Sequence, residues 1–215
     1  MPNIIYRNWN TGLGDTWATI QLLAQKQGPD DLLLSTIQHG ERLRVMQQEI
    51  LNVLDQDHFT NEVVLVDEEP NTDLDGFAVW AALPLPTIER WRPLGRTIAI
   101  QLDGHSTPEL KNPPAADIMK IYAWADLHNF EMVFVGKSLG LRASVKALAR
   151  ATMFCGVDSG MSHVAHSVGV PTFVLEYQLP VVTCHRHRNY VLAKGADHFI
   201  AQAENYLTFR RFIEA

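Results

Sequence analysis

The sequence predicts an α/β protein with two similar β-α-β lobes, each built on a parallel sheet and facing the other. Three observations carry this. Short apolar runs alternate with segments of helical spacing along most of the chain. The alternation occurs twice, before and after a proline-interrupted stretch. The 215 residues are 47% hydrophobic and 20% charged, a globular composition with enough chain for a substantial core.

The first lobe opens with a strand at Asn3-Ile4-Ile5-Tyr6 and the glycine-bearing loop from Arg7 to Asp15. Thr16 to Gln27 carries Trp17, Ile20, Leu23 and Ala24 at helical spacing and stops at Gly28-Pro29. Leu32 to Thr36 is a second strand. Glu41 to Asp55 aligns Leu43, Met46, Ile50, Val53 and Leu54 near one helical face, and Glu62 to Val66 is a third strand. From Asp67 to Pro93 acidic residues and prolines blur the pattern, which suggests a linker near Pro84–Gly95.

The second lobe restarts with a strand at Arg96–Leu102. A polar loop covers Asp103–Pro114, a helix Ala115–Asn129 and a strand Met132–Val135. Ser144–Ala151 is a short helix, Met153–Val157 a strand, His163–Val168 a helix and Thr172–Leu175 a strand. Ala201–Ile213 is helical. Ligands of such sheets bind outside the carboxyl ends of the strands.

Charge and composition exclude several classes. Lys plus Arg is 18 against 24 for Asp plus Glu, a net charge of −6, so no general nucleic-acid footprint exists, although a local basic patch is compatible with it. Two cysteines, Cys155 and Cys184, are too few for a disulfide scaffold. No run approaches the roughly 18 apolar residues of a membrane span, and MPNIIYRNWN lacks the apolar core of a signal peptide. The expectation is a soluble, cytoplasmic protein without a transmembrane segment.

Three loops at strand ends hold the chemistry. In Thr11–Thr16 (TGLGDT), Gly12 and Gly14 allow close backbone approach to a ligand. Asp15 there is either a helix N-cap or a carboxylate aimed into the cleft. Trp17 occupies the place of the third glycine of a dinucleotide fingerprint, so that motif is absent. In the second loop Lys111 either reaches a diphosphate as a point charge or is a solvated lysine. In the third loop Asp158, Ser159 and Gly160 form a strand-to-helix turn. The amides of Ser159, Gly160 and Met161 would face an anion at the helix start, and a nitrogen of His163 could donate to it. His166 lies three residues on, but metal-binding pairs on helices favour i and i+4, and no metal is expected.

The third loop resembles the C-terminal signature of the ADP-heptose–lipopolysaccharide heptosyltransferases, glycosyltransferase family 9. Asp158, Ser159, Gly160, His163, Gly169, Pro171 and the strand TFVL stand in the family's order. The preceding Ala143–Val157 resembles the family's helix and strand. Gly12–Asp15 resembles its first glycine-Asp turn, and HSTPELKNPP resembles its lysine loop, with Asn112 in place of the usual aromatic. The resemblance is best over Arg96–Leu175. It implies a compact GT-B fold: two Rossmann-like lobes facing a cleft, residues 1–90 on the acceptor side and 95–200 holding the donor. A C-terminal helix at 201–215 would pack back on the first lobe.

By the same resemblance, Asp15 is the general base on the acceptor hydroxyl. Gly12, Gly14, Lys111, Asp158, Ser159, Gly160, Met161 and His163 hold the donor, a nucleotide-diphosphate sugar used as co-substrate with no further cofactor. Direct displacement inverts the anomeric carbon and needs one carboxylate, with lysine and helix dipole in place of a metal. The chain is shorter than a usual member, mainly in the acceptor lobe. The acceptor is therefore open among saccharides, lipid-linked glycans, proteins and nucleic acids. The alternative is a non-catalytic nucleotide-sugar-binding or assembly protein.

Several smaller features have more than one reading. Glu176 can touch ribose or base, or sit at the surface. Cys184-His185-Arg186-His187-Arg188 is a phosphate-binding arginine pair, a metal site or a plain loop. Trp9 and Trp17 flank the first loop and can stack on a sugar, with core packing the expected role of Trp17 and Trp124. Cys155 is expected to be an inert core thiol.

Overall fold

Tyr6, Leu34 and Leu65 lie in register across three parallel strands and point one apolar row at the helices beneath. In the computed structural model, residues 3–28, 31–37, 40–180 and 189–214 are described, with the side chains of 211–214 left aside. The first sheet contains β1 (Ile5–Tyr6), β2 (Leu32–Ser35) and β3 (Val63–Val66) in spatial order β1-β2-β3. Its helices are α1 (Leu13–Ala24), α2 (Glu41–Val53) and the short α3 (Gly76–Ala81).

The second sheet holds β4 (Thr97–Gln101), β5 (Glu131–Phe134), β6 (Met153–Val157), β7 (Thr172–Glu176) and β8 (Tyr190–Lys194). All five are parallel, in the order β5-β4-β6-β7-β8. The chain leaves β4 in opposite directions toward β5 and β6, so the β4–β6 boundary is the topological switch point where such sheets bind ligands. Its helices are α4 (Pro108–Lys111), α5 (Ala115–Leu127), α6 (Leu141–Arg150), α7 (Gly160–Val168) and α8 (Ala196–Glu214). The two parallel sheets with intervening helices are the Rossmann-like α/β fold that the alternating pattern predicts.

The halves do face each other, but their facing surfaces are packed. α1 lies on α7 and α2 on α6. Trp17, Ile20 and Leu23 of α1 share one buried cluster with Val145 and Leu148 of α6 and Val164 and Ala165 of α7. Trp17 is wholly buried and its Nε1–H donates to Ser167 Oγ at 3.2 Å. The rim at the carboxyl ends of the strands, around Leu13–Asp15, Lys111 and Ser159–Gly160, stays partly exposed.

The stretch expected as a linker is a stitched seam. On one side Thr87, Trp91, Arg92 and Leu94 donate their amides to the carbonyls of Ser167, Val168, Ala149 and Arg150, the unpaired carboxyl ends of α7 and α6. Trp91 Nε1–H adds a bond to Ala151 O at 2.8 Å. On the other side Ile88 N–H donates to Val53 O, and Pro86 O accepts from Asp55 N–H at 2.8 Å.

Several expectations need correction. The last helix begins at Ala196, not Ala201, and packs on the second sheet instead of the first lobe: Phe199 meets Trp124 and Phe173 edge-on, and Trp124 Nε1–H donates to Glu204 Oε1 at 2.8 Å. Its apolar residues Phe199, Ala203 and Leu207 find their cover on α5 and β7–β8, which leaves them nothing to offer the first lobe. α3, α4 and β8 arise where the sequence pattern showed no element. α3 rests on an Asp75 cap, whose carboxylate accepts from Phe77 N–H at 3.0 Å. Trp124 and Cys155 are core residues as expected, and burial pushes the Cys155 thiol pKa up.

Candidate active site at the switch point

The TGLGDT loop ends in α1, with Gly12 as its N-cap and Asp15 in the first turn. Asp15 is therefore not the cap itself. Its carboxylate turns back and accepts from the Gly12 N–H, the acidic half of a capping box. A Cβ on Gly12 would lie 2.8 Å from Asp15 Oδ2, so a larger residue there would push the carboxylate aside. Burial raises the Asp15 pKa above the usual carboxylate value; the Lys111 charge and the Gly12 amide oppose that rise.

Across the seam, Ser159 caps α7. Its amide donates to Ser162 Oγ at 3.4 Å, and Ser162 Oγ–H donates to Ser159 O at 2.6 Å. Ser159 Oγ–H donates to Gln101 Oε1, and Gln101 Nε2–H in turn donates to the Asp103 carbonyl. Gln101 thereby ties the loop after β4 to the turn after β6.

The amino ends of α1 and α7 touch. A Cβ on Gly160 would sit 2.6 Å from Gly14 N and 2.8 Å from Leu13 Cβ, and one on Gly14 would sit 3.2 Å from Gly160 Cα. Two positive helix ends thus converge at one place, with the Gly160 and Met161 amides at the opening of α7. Lys111 closes the third side: its Nζ donates to the Asp158 carbonyl at 3.2 Å and to Ser106 Oγ at 3.3 Å.

His163 lies directly beneath. It is buried, and its ring meets Trp80 of α3 with centroids 5.2 Å apart and planes at 37°. Its Cδ2 is 3.4 Å from where a Gly14 Cβ would be. Burial lowers its pKa from 6.5 to about 4; Asp158 opposes that shift and Lys111 adds to it. The imidazole is therefore neutral at pH 7 and carries a single N–H. His166 is also lowered to about 4, mainly by burial, with an opposing hydrogen bond that the imidazole donates to Asn189. Among the described residues, no three His, Cys, Asp or Glu side chains gather to hold a metal ion.

The structure therefore brings Gly12, Gly14, Asp15, Lys111, Asp158, Ser159, Gly160, Met161 and His163 to one rim. Sequence reasoning gave no role to Gln101 or Trp80 and saw Asn112 only as a departure from the lysine loop's pattern. A glutamine ending the apolar run TIAIQ was the available signal for the first. Asn112 accepts from Gly104 N–H at 2.6 Å and so closes the β4–α4 loop. Trp9 is half exposed and covers Gly76, where a Cβ would lie 2.3 Å from its ring. Glu176 borders a separate open cavity of ≈ 550 Å³ with Glu109, Asn112, Tyr177 and Lys194, beside α4. That cavity touches neither Asp15 nor Lys111 nor α7, and the convergence of helix ends and charge lies elsewhere on the rim. The Cys184–Arg188 run lies outside the described residues.

No protein-family model matches the chain, and no curated protein matches it. Among solved structures it is similar to the bacterial iron-containing dodecameric glycosyltransferase TibC from enterotoxigenic E. coli H10407, with a TM-score of 0.57 at 13% identity, covering 80% of this chain and 57% of that one. It is also similar to dodecameric iron-containing heptosyltransferase TibC in complex with ADP-D-beta-D-heptose, with a TM-score of 0.55 at 12% identity and the same coverage. The chain thus has a glycosyltransferase-like fold and spans little more than half the length of these neighbours.

Proposed function

We propose that this protein transfers a sugar from a nucleotide-diphosphate donor to an acceptor hydroxyl, without a metal and with inversion. One observation carries the reading: the α1 and α7 amino ends meet at Gly14 and Gly160, with Lys111 and Asp15 on either side. Converging helix ends and a lysine suit a leaving diphosphate, whose charge grows in the transition state. Gly160 and Met161 amides, Lys111 and neutral His163 hold that anion; Gly12, Gly14, Asp158 and Ser159 shape the turns that present them. Asp15, with its raised pKa, is a better base than an ordinary aspartate and accepts the acceptor proton. The ADP-heptose bound by one TibC structure supports a nucleotide-sugar donor.

A second reading has its own observation. The Asp15 carboxylate already takes the Gly12 amide, which is a structural task, so a nucleotide-sugar-binding protein without turnover needs no other change. Calorimetry with UDP, ADP and GDP tests the common part: at least one binds, and no binding at millimolar concentration overturns both readings. A panel of sugar nucleotides separates them. Transfer or slow hydrolysis of one donor marks an enzyme; binding with every donor left intact marks the second reading.

A further inference from the structure

Between Glu131 and Asp158 the chain has no carboxylate and four cations: Lys137, Arg142, Lys146 and Arg150. The last three stand at i, i+4 and i+8 on α6, about 6 Å apart along its axis. All four side chains are exposed, while Leu141, Val145 and Leu148 on the opposite face enter the core. None of the four forms an ion pair among the described residues. α2, packed against α6, has Glu41 and Glu49 balanced by Arg42 and Arg44, and α7 has no acidic residue. In a chain of net charge −6 this is a segregated positive face.

Helix stability does not account for it. Arg150 in the last turn favours the helix dipole, but Arg142 in the first turn opposes it. Exposed leucines stand at both ends of the row. Leu139 precedes α6 and is 39% exposed; Leu94, whose amide bonds to the Arg150 carbonyl, is 64% exposed.

We propose that the outer face of α6 docks the protein on an anionic phospholipid surface. Cations in a row match headgroup phosphates, and flanking leucines reach the acyl boundary. A nucleic acid would have no use for those leucines, and α6 offers no aromatic ring for base stacking. The row starts beside the candidate site: a Cβ on Gly136, next to Lys137, would lie 3.6 Å from Gln101 Cγ and 3.7 Å from Met161 Cγ. Docking therefore brings the switch point to the bilayer surface, where a lipid-linked acceptor would be found. The docking itself stands apart from the glycosyl-transfer reading.

The test is sedimentation of the full chain with phosphatidylcholine vesicles, with and without phosphatidylglycerol, at low and high salt. The protein pellets only with the anionic vesicles and is released by salt. The triple variant Arg142→Gln, Lys146→Gln, Arg150→Gln partitions about a hundred-fold more weakly, and Arg142→Gln alone about five-fold, each with an unchanged circular dichroism melt. Leu94→Ser with Leu139→Ser weakens binding but keeps the salt response. Absence of binding, equal binding to neutral vesicles, wild-type binding by the charge variants, or preference for a single-stranded DNA oligonucleotide in competition overturns the proposal.

Discussion

Gly14 and Gly160 abut across the seam between the two sheets, close enough that a Cβ on Gly160 would lie 2.6 Å from the Gly14 nitrogen. The obstacle is backbone on a packed helix, which cannot swing away as a side-chain tip can. Gly160→Ala is therefore expected to destabilise the fold by about 1–3 kcal/mol through overpacking. Gly28, with nothing within 4 Å, is the control, and Gly28→Ala should be neutral or slightly stabilising. Urea midpoints read both; equal midpoints would show that the seam can yield.

Lys111 bridges to the Asp158 carbonyl and so costs the fold little to lose, but a diphosphate much. Lys111→Ala should weaken binding of the best nucleoside diphosphate about ten-fold or more in calorimetry, in line with roughly 1.5–3 kcal/mol for a charged contact. An unchanged affinity would remove Lys111 from the donor site.

With Asp15 as the proposed base, Asp15→Asn should abolish turnover and leave donor affinity nearly intact, because only the proton acceptor would be lost. The carboxamide oxygen can still accept from Gly12 N–H, so the turn survives. Loss of donor binding together with turnover would make Asp15 a structural residue.

His163 sets a pH dependence. Its folded pKa of about 4 is below the unfolded value of 6.5, so the unfolded chain binds more protons between those limits. Stability from this group is complete above the unfolded value and is lost as pH falls toward 4, with a span on the order of 3 kcal/mol. His166, shifted in the same direction, adds to the slope. Urea titrations from pH 7 to pH 4 should show a steep decline that His163→Gln makes shallower. An unaltered slope in that variant would assign the effect to other groups.

A core shared by α1, α2, α6 and α7 makes the two sheets one cooperative unit. Tryptophan fluorescence and far-ultraviolet circular dichroism should give coincident unfolding curves. Trp17→Ala should shift both together, by about 3–5 kcal/mol for loss of a buried aromatic. Two separated transitions would refute the shared core.

Much of this was legible in the sequence. Short apolar runs and period-3.6 spacing marked most strands and the long helices, and strand ends followed by Gly, Ser or Asp marked the rim where Asp15, Lys111 and His163 gather. What stayed hidden depends on long-range contact. Residues 84–95 look like a proline-rich joint until their amides are seen on carbonyls of α6 and α7. α3 is only 6 residues long, too short to show a period, and its Trp80 matters only because α7 puts His163 against it. β8 is a five-residue run between Asn189 and Gly195, turn residues that the sequence reading left unused, and α8 is placed by Phe199 meeting Trp124, a partner far away in the chain.

The stitching of residues 84–95 to both halves has a consequence for how any substrate is received. Among the described residues, that stretch is no joint on which the halves could swing like jaws, so a ligand would meet a doorway that is already set. If the proposed transfer takes place there, shielding it from solvent would fall to side chains at that threshold, and turnover would be paced by their small movements and by departure of the products.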